Sequence, residues 1–255
     1  MGTRPQPGTG TKEDTRMVQG KYNATSLTSQ MDSYNLTPQQ LESYDNNGFL
    51  KIEGVWGKDE IDILRRDMDE FADGHFTNKL DAHYYKSIKQ IHRGKKMCDI
   101  GDAILRSRAV PIGSIAFYCR PNNPLELGST WHQDNYAGRS PDGNNYLNLA
   151  VAVDDADPSN GSLFVVPGSH RWGDMPCNPK ANFSKDSEGR LYTSAPIGNN
   201  IIMPEDANIV QLEYKAGDVL VVNGLLVHKA DRNIHASRWR RTMYFVYTKD
   251  GEHRS

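Results

Sequence analysis

The chain has little that would tie its 255 residues to a membrane, a nucleic acid or an oxidising compartment. No apolar run approaches the roughly 20 residues that a membrane-spanning helix needs. The opening MGTRPQPGTG has no apolar h-region, which argues against a secretory signal, and Gln6 breaks the myristoylation pattern. Only three cysteines occur, Cys98, Cys119 and Cys177, without CxxC spacing. That argues against a disulfide framework or a structural zinc site and favours a reducing, cytoplasmic setting. An excess of one charge is missing too: 30 Lys and Arg face 32 Asp and Glu. Without a basic surplus, general nucleic-acid binding is not expected. The local basic run HRGKKM (92–97) reads as a solvated face.

What is present is organised in two parts. Residues 1–35 are rich in Gly, Thr, Gln, Ser and Pro, and read as a disordered polar arm. Residues 36–255 then read as a single domain. In LTPQQLESYDNNGF, Thr37 is placed to cap a helix, Pro38 to open it and Gln40 to complete a capping box, with Gly48 as the stop. FLKIEGV follows as a short strand. The spacing of Ile61, Leu64, Met68 and Phe71 predicts a second helix ending near Gly74, and GDAILRSRA predicts a weaker third. Beyond residue 112 the pattern changes to strands: IGSIAFYCR, YLNLAVAVDD, SLFVVPGSH, DVLVVNGLLVH and RRTMYFVYT. The turns RPNNP, SPDGNN, DPSNG and KAGD separate them. Short strands punctuated in this way indicate a β-sandwich or barrel. The polar segment 171–210 is long enough to be a lid or binding loop.

The chemistry gathers around STWHQDNYAG (129–138). In an extended segment residues i and i+2 share a face, so His132 and Asp134 offer a nitrogen and an oxygen ligand side by side. Alone this is weak, because chance gives about one H-x-[DE] pair in a chain of this composition. A second histidine, His228, ends DVLVVNGLLVH, where a buried strand is expected to deliver it to the core end of a barrel. Two histidines and one carboxylate form a facial triad with open positions, a set that suits non-haem Fe(II). Arg240 lies twelve residues further on, at the start of the next strand. A fixed guanidinium there suits the far carboxylate of an anionic co-substrate.

With WHQDN (131–135), NGSLFVVPGSH (160–170), GDVLVVNGLLVHKADRN (217–233) and RRTMYFVY (240–247), the chain resembles the phytanoyl-CoA dioxygenase-like branch of the Fe(II)/2-oxoglutarate-dependent oxygenases. The similarity runs over roughly residues 36–248. It implies a mainly β fold, a double-stranded β-helix of the jelly-roll or cupin-like kind, flanked by N-terminal helices. It implies that His132, Asp134 and His228 bind Fe(II), and that Arg240 rather than Arg241 pairs with the 5-carboxylate of 2-oxoglutarate. Arg120, Gln133 and Asn148 become further co-substrate candidates on the same ground. Candidate substrate contacts are Asn135, Trp172, Tyr84 and Phe76. The implied reaction consumes 2-oxoglutarate and O2, releases succinate and CO2, and oxidises a small organic molecule by hydroxylation, desaturation, epoxidation or ring closure. Halogenating relatives carry a small residue at the Asp134 position, so a carboxylate there argues against halogenation. His170 is expected to be structural, and Gly161 and Gly224 to be backbone requirements.

Three rival readings remain at this stage. One is a catalytically silent, metal-containing jelly-roll binding module. Another is a peptide or protein hydroxylase with the same chemistry. The third is a Zn- or Mn-dependent cupin-like isomerase that ignores 2-oxoglutarate.

Overall fold

The computed structural model describes residues 32–72, 79–80, 85–123, 128–135, 140–175, 183–185, 191–193 and 201–252. Most of the expected N-terminal arm, Gly74 and much of the expected lid lie outside these. At the arm's end, the Tyr34 backbone N–H donates to Asp99 at 3.1 Å.

Helix α1 (Pro38–Asn47) starts as its sequence dictates. Thr37 Oγ1 accepts from the Gln40 N–H at 3.2 Å, Gln40 Oε1 accepts from the Thr37 N–H at 2.8 Å, and Gly48 stops the helix at φ 75°. Strand β1 (Phe49–Ile52) follows, then α2 (Lys58–Ala72), which buries Ile61, Leu64 and Met68 on one stripe.

The region after α2 departs from expectation. A short strand β2 (Lys79–Leu80) leads to two helices, α3 (Lys86–Arg93) and α4 (Lys95–Leu105), where one weaker helix was expected. Gly94 joins them, and HRGKKM straddles the joint, so it is not a solvated face. His92, Lys96 and Met97 are buried while Arg93 and Lys95 are exposed. Lys96 lays its stem inward and places Nζ 4.5 Å from the Trp56 ring centre, donating to the Val55 carbonyl at 3.1 Å. Long basic side chains bury their methylenes in this way, which hides the helical stripe from a reading by residue type.

Eight more strands follow the helices in chain order: β3 (Ala109–Cys119), β4 (Tyr146–Ala152), β5 (Leu163–Val165), β6 (Phe183–Lys185), β7 (Leu191–Thr193), β8 (Val210–Gln211), β9 (Val219–Asn223) and β10 (His228–Ala230). Strand β11 (Arg240–Lys249) closes the series. Among the described residues they form a six-stranded sheet of order β1-β9-β4-β11-β3-β2, a three-stranded sheet β10-β5-β8, and the pair β6-β7. Every pairing is antiparallel. This is the expected jelly roll, mostly sheet with a few N-terminal helices.

Alternation along the strands assigns two cores. Ile52, Leu149, Val151, Val221, Met243 and Phe245 face the helices. Ala150, Ala152, Leu220 and Val222 face the small sheet, against Leu163, Val165, Tyr214 and Leu226. Such burial supplies about 25 cal/mol per Å² of apolar surface removed from water.

DVLVVNGLLVH is not one strand. The chain leaves the large sheet at Asn223, turns through Gly224 and enters the small sheet at His228. Asn223 Oδ1 accepts the Leu225 N–H at 2.8 Å, which anchors the turn. A Cβ on Gly224 would meet the Gly143 carbonyl oxygen at 2.7 Å, so only glycine fits there. Gly161, at φ 80°, is equally confined by the Asp231 carbonyl. No helix among the described residues is long and apolar enough to cross a membrane.

Candidate metal centre

His132 and His228 face each other as an isolated antiparallel bridge. Each backbone N–H donates to the other's carbonyl at 3.0 Å. That pairing sets the imidazoles side by side, with ring centres 4.2 Å apart. Asp134 follows in the turn after the bridge. Its Oδ1 lies 3.5 Å from His132 Nε2 and its Oδ2 lies 3.6 Å from His228 Nε2. All three ligand atoms fall within 4.8 Å of one another.

The second ring nitrogens decide what these groups do. His132 Nδ1 sits 2.8 Å from the Thr130 carbonyl, and His228 Nδ1 sits 2.9 Å from the Leu226 carbonyl. A carbonyl oxygen only accepts, so Nδ1 carries the proton and both Nε2 lone pairs are left for a cation. Two nitrogens and a carboxylate oxygen, on one side of a common point, match the donor set of a facial Fe(II) site. The residues therefore fit the metal that the motif implies.

Burial penalises charge on all three ligands, yet Asp134 stays well below the usual carboxylate range because His228 and His132 face it and Asn148 donates to it. Burial and the neighbouring His132 push His228 down to about 4. His132 moves the other way, since Asp134 outweighs the cost of its burial. Asn148 comes from β4 on the face that looks toward the small sheet. Its Nδ2 donates to Asp134 Oδ2 at 2.5 Å, and its own Oδ1 is buried without a partner.

Strand β11 supplies the cation. Arg240 is only 4% exposed, and its Nη2 donates to Cys119 Sγ at 2.8 Å. Cys119 is its register partner on β3. Among the described residues no carboxylate pairs with Arg240, and its Nε has no hydrogen-bond partner. Burial opposes its charge, but Cys119, Tyr214 and Tyr244 outweigh that and hold the guanidinium protonated. Arg241 points to the other face. There it holds Asp69 through Nη1 at 2.7 Å and Asp154 through Nε at 2.7 Å. The alternation along β11 thus separates two adjacent arginines that composition alone cannot distinguish.

The other expected residues take varied places. Gln133 is buried with its amide committed to protein: Nε2 donates to the carbonyls of Leu225 and Gly173, and Oε1 accepts from the Met175 N–H. Asn135 closes the following loop, exchanging two hydrogen bonds with the Ser140 backbone. Arg120 is half-buried directly after β3. Trp172 is 42% exposed. Phe76 and Tyr84 lie outside the described residues. His170 is buried, with Nε2 3.2 Å from the Asp45 carbonyl, and is structural as expected.

Sequence reasoning missed Cys119, Thr242 and Tyr214. Thr242 shares the inner face of β11 with Arg240, and its Oγ1 is buried without a partner. Tyr214 is buried, and the charge of Arg240 acts on its hydroxyl. The β11 alternation points to Thr242 two residues after Arg240; nothing local points to the other two.

The family model described as phytanoyl-CoA dioxygenase matches residues 44–242. An ectoine dioxygenase of Nocardia farcinica is 24% identical over 219 residues, covering 77% of this chain and 72% of its own. A phytanoyl-CoA dioxygenase of Arabidopsis thaliana is 22% identical, over 85% of this chain and 90% of its own. Among solved structures, the non-heme alpha ketoglutarate dependent carbocyclase SnoK from nogalamycin biosynthesis superposes with a TM-score of 0.67 at 17% identity. It covers 84% of this chain and 85% of its own, a shared fold.

Proposed function

The chain belongs to the phytanoyl-CoA dioxygenase family, Fe(II)- and 2-oxoglutarate-dependent dioxygenases, and from that premise we propose that it hydroxylates an unactivated C–H bond of a small organic metabolite. Succinate and CO2 are the co-products. The observation that carries this reading is the pairing of two open Nε2 atoms and a carboxylate with a buried guanidinium that no carboxylate neutralises among the described residues.

When bound, Fe(II) with 2-oxoglutarate and O2 supplies the oxidising power, as the co-substrate loses CO2. The chain supplies position. His132, Asp134 and His228 would hold the metal. Asn148 steadies the Asp134 carboxylate. Arg240 grips the far carboxylate of 2-oxoglutarate, with Thr242 and Tyr214 offering hydroxyls beside it. A buried cation takes a dicarboxylate more strongly than it takes water, because the low local dielectric strengthens the pair. Phe117 and Tyr244, stacked edge to face at 4.9 Å on the same inner surface, are half-buried and supply an apolar wall for the body of a substrate.

The test is anaerobic. Fe(II) and then 2-oxoglutarate are added to the purified chain, and the weak visible charge-transfer band of the chelate is followed. The band is expected in the wild type and absent in His132→Ala. Iron binding without a band would overturn the oxygenase reading.

A further inference from the structure

Cys119 lies beside Arg240, yet neither metal binding nor anion binding requires a thiol there. It ends β3 on the inner face, half-buried, with Sγ 2.8 Å from Arg240 Nη2. The register that pairs Cys119 with Arg240 fixes this contact in the backbone ladder rather than in a mobile loop. Arg240 is more than nine-tenths buried, and its Nε remains unpartnered. The guanidinium therefore awaits an anion, and the thiol already occupies one of its faces.

We propose that Cys119 is a reversible oxidation site that gates 2-oxoglutarate binding, an inference that rests on the co-substrate role of Arg240 given above. A guanidinium at hydrogen-bond distance favours the thiolate, the reactive form of cysteine. Hydrogen peroxide is the oxidant. The thiolate sulfur attacks one peroxide oxygen, an S–O bond forms and the O–O bond breaks. Hydroxide leaves and is protonated to water, so sulfur loses two electrons and peroxide gains them. The product sulfenic acid, as its sulfenate, puts an oxygen anion where the co-substrate carboxylate binds. A small thiol reverses the change by forming a mixed disulfide and water, and a second thiol releases Cys119. The same geometry makes bound 2-oxoglutarate a shield over the sulfur.

The test uses the full chain loaded with Mn(II), which holds 2-oxoglutarate without supporting turnover. Iodoacetamide labelling is followed cysteine by cysteine by peptide mass mapping. Cys119 is expected to label at least about tenfold more slowly with saturating 2-oxoglutarate, while Cys98 labels at an unchanged rate. Brief peroxide is expected to weaken 2-oxoglutarate binding at least about tenfold, with recovery on adding dithiothreitol. In Cys119→Ser, whatever its own affinity, peroxide is expected to change nothing. Unprotected labelling of Cys119, or a serine variant that stays peroxide-sensitive, would overturn the inference. If the untreated wild type binds no 2-oxoglutarate, the co-substrate reading itself fails instead.

Discussion

The two faces of the six-stranded sheet carry similar residues and treat them differently. Against the outer face, His92 of α3 spends Nε2 on the Val246 carbonyl at 3.2 Å, and on that face Arg241 is closed by Asp69 and Asp154. On the inner face, Arg240 keeps an open Nε and Asn148 an open Oδ1. Beside them the metal-site histidines keep Nε2 and tie down Nδ1 instead. Leaving a buried polar atom unpaired costs about 1–3 kcal/mol. His92 and Arg241 avoid that cost with protein partners. At Arg240 and Asn148 a bound ligand would remove it.

The sharpest way to break this comparison is to cut the same side chain on each face. Arg240→Ala is expected to raise the 2-oxoglutarate concentration needed for half-saturation about 30-fold or more, with a thermal midpoint near that of the wild type. Arg241→Ala is expected to do the reverse, costing about 1–2 kcal/mol of stability while co-substrate affinity holds. Titration of the chelate band and thermal melts separate the two. Equal effects on both readouts would erase the distinction between the faces.

Asn148→Leu sharpens the comparison at the metal. It keeps the volume and removes the donor on Asp134. Fe(II) affinity is expected to fall about 10- to 100-fold, read by anaerobic competition with a coloured chelator. An unchanged affinity would make Asn148 mere packing.

The smallest effect belongs to His170, a histidine with no ligand to serve. Burial holds it below its ordinary 6.5. Above that value it is neutral folded and unfolded, and contributes nothing to pH dependence. As pH falls through 6.5 the unfolded chain takes up the proton first, so folded stability declines until the lowered value is passed. The wild type is expected to lose stability faster than His170→Asn between about pH 7 and pH 5, by about 1 kcal/mol or less. Denaturant midpoints across that range measure it, and parallel curves would refute the assignment.

Legible in the sequence was whatever short-range spacing controls. The Thr37–Gln40 capping box, the α2 stripe and the His132–Asp134 pair all depend on residues a few positions apart. Arg240 was legible because it follows His228 at a characteristic distance and opens an apolar strand. The α3–α4 joint was not, because the buried stem of Lys96 looks polar by type. The split of DVLVVNGLLVH was not either, because an unbroken apolar run does not say which sheet each half joins.

Sequence alone therefore determined the ligand types, their local spacing, the strand-rich fold class and the family. Tertiary structure alone decided which nitrogen of each histidine is open, which of two neighbouring arginines faces inward, and that Asn148 and Cys119 touch Asp134 and Arg240. The reason is physical. Chemistry and local conformation reside in residues a few positions apart, whereas contacts such as Cys119 to Arg240, 121 residues apart, exist only through strand register. A shift of one residue in that register would turn every one of them to the opposite face.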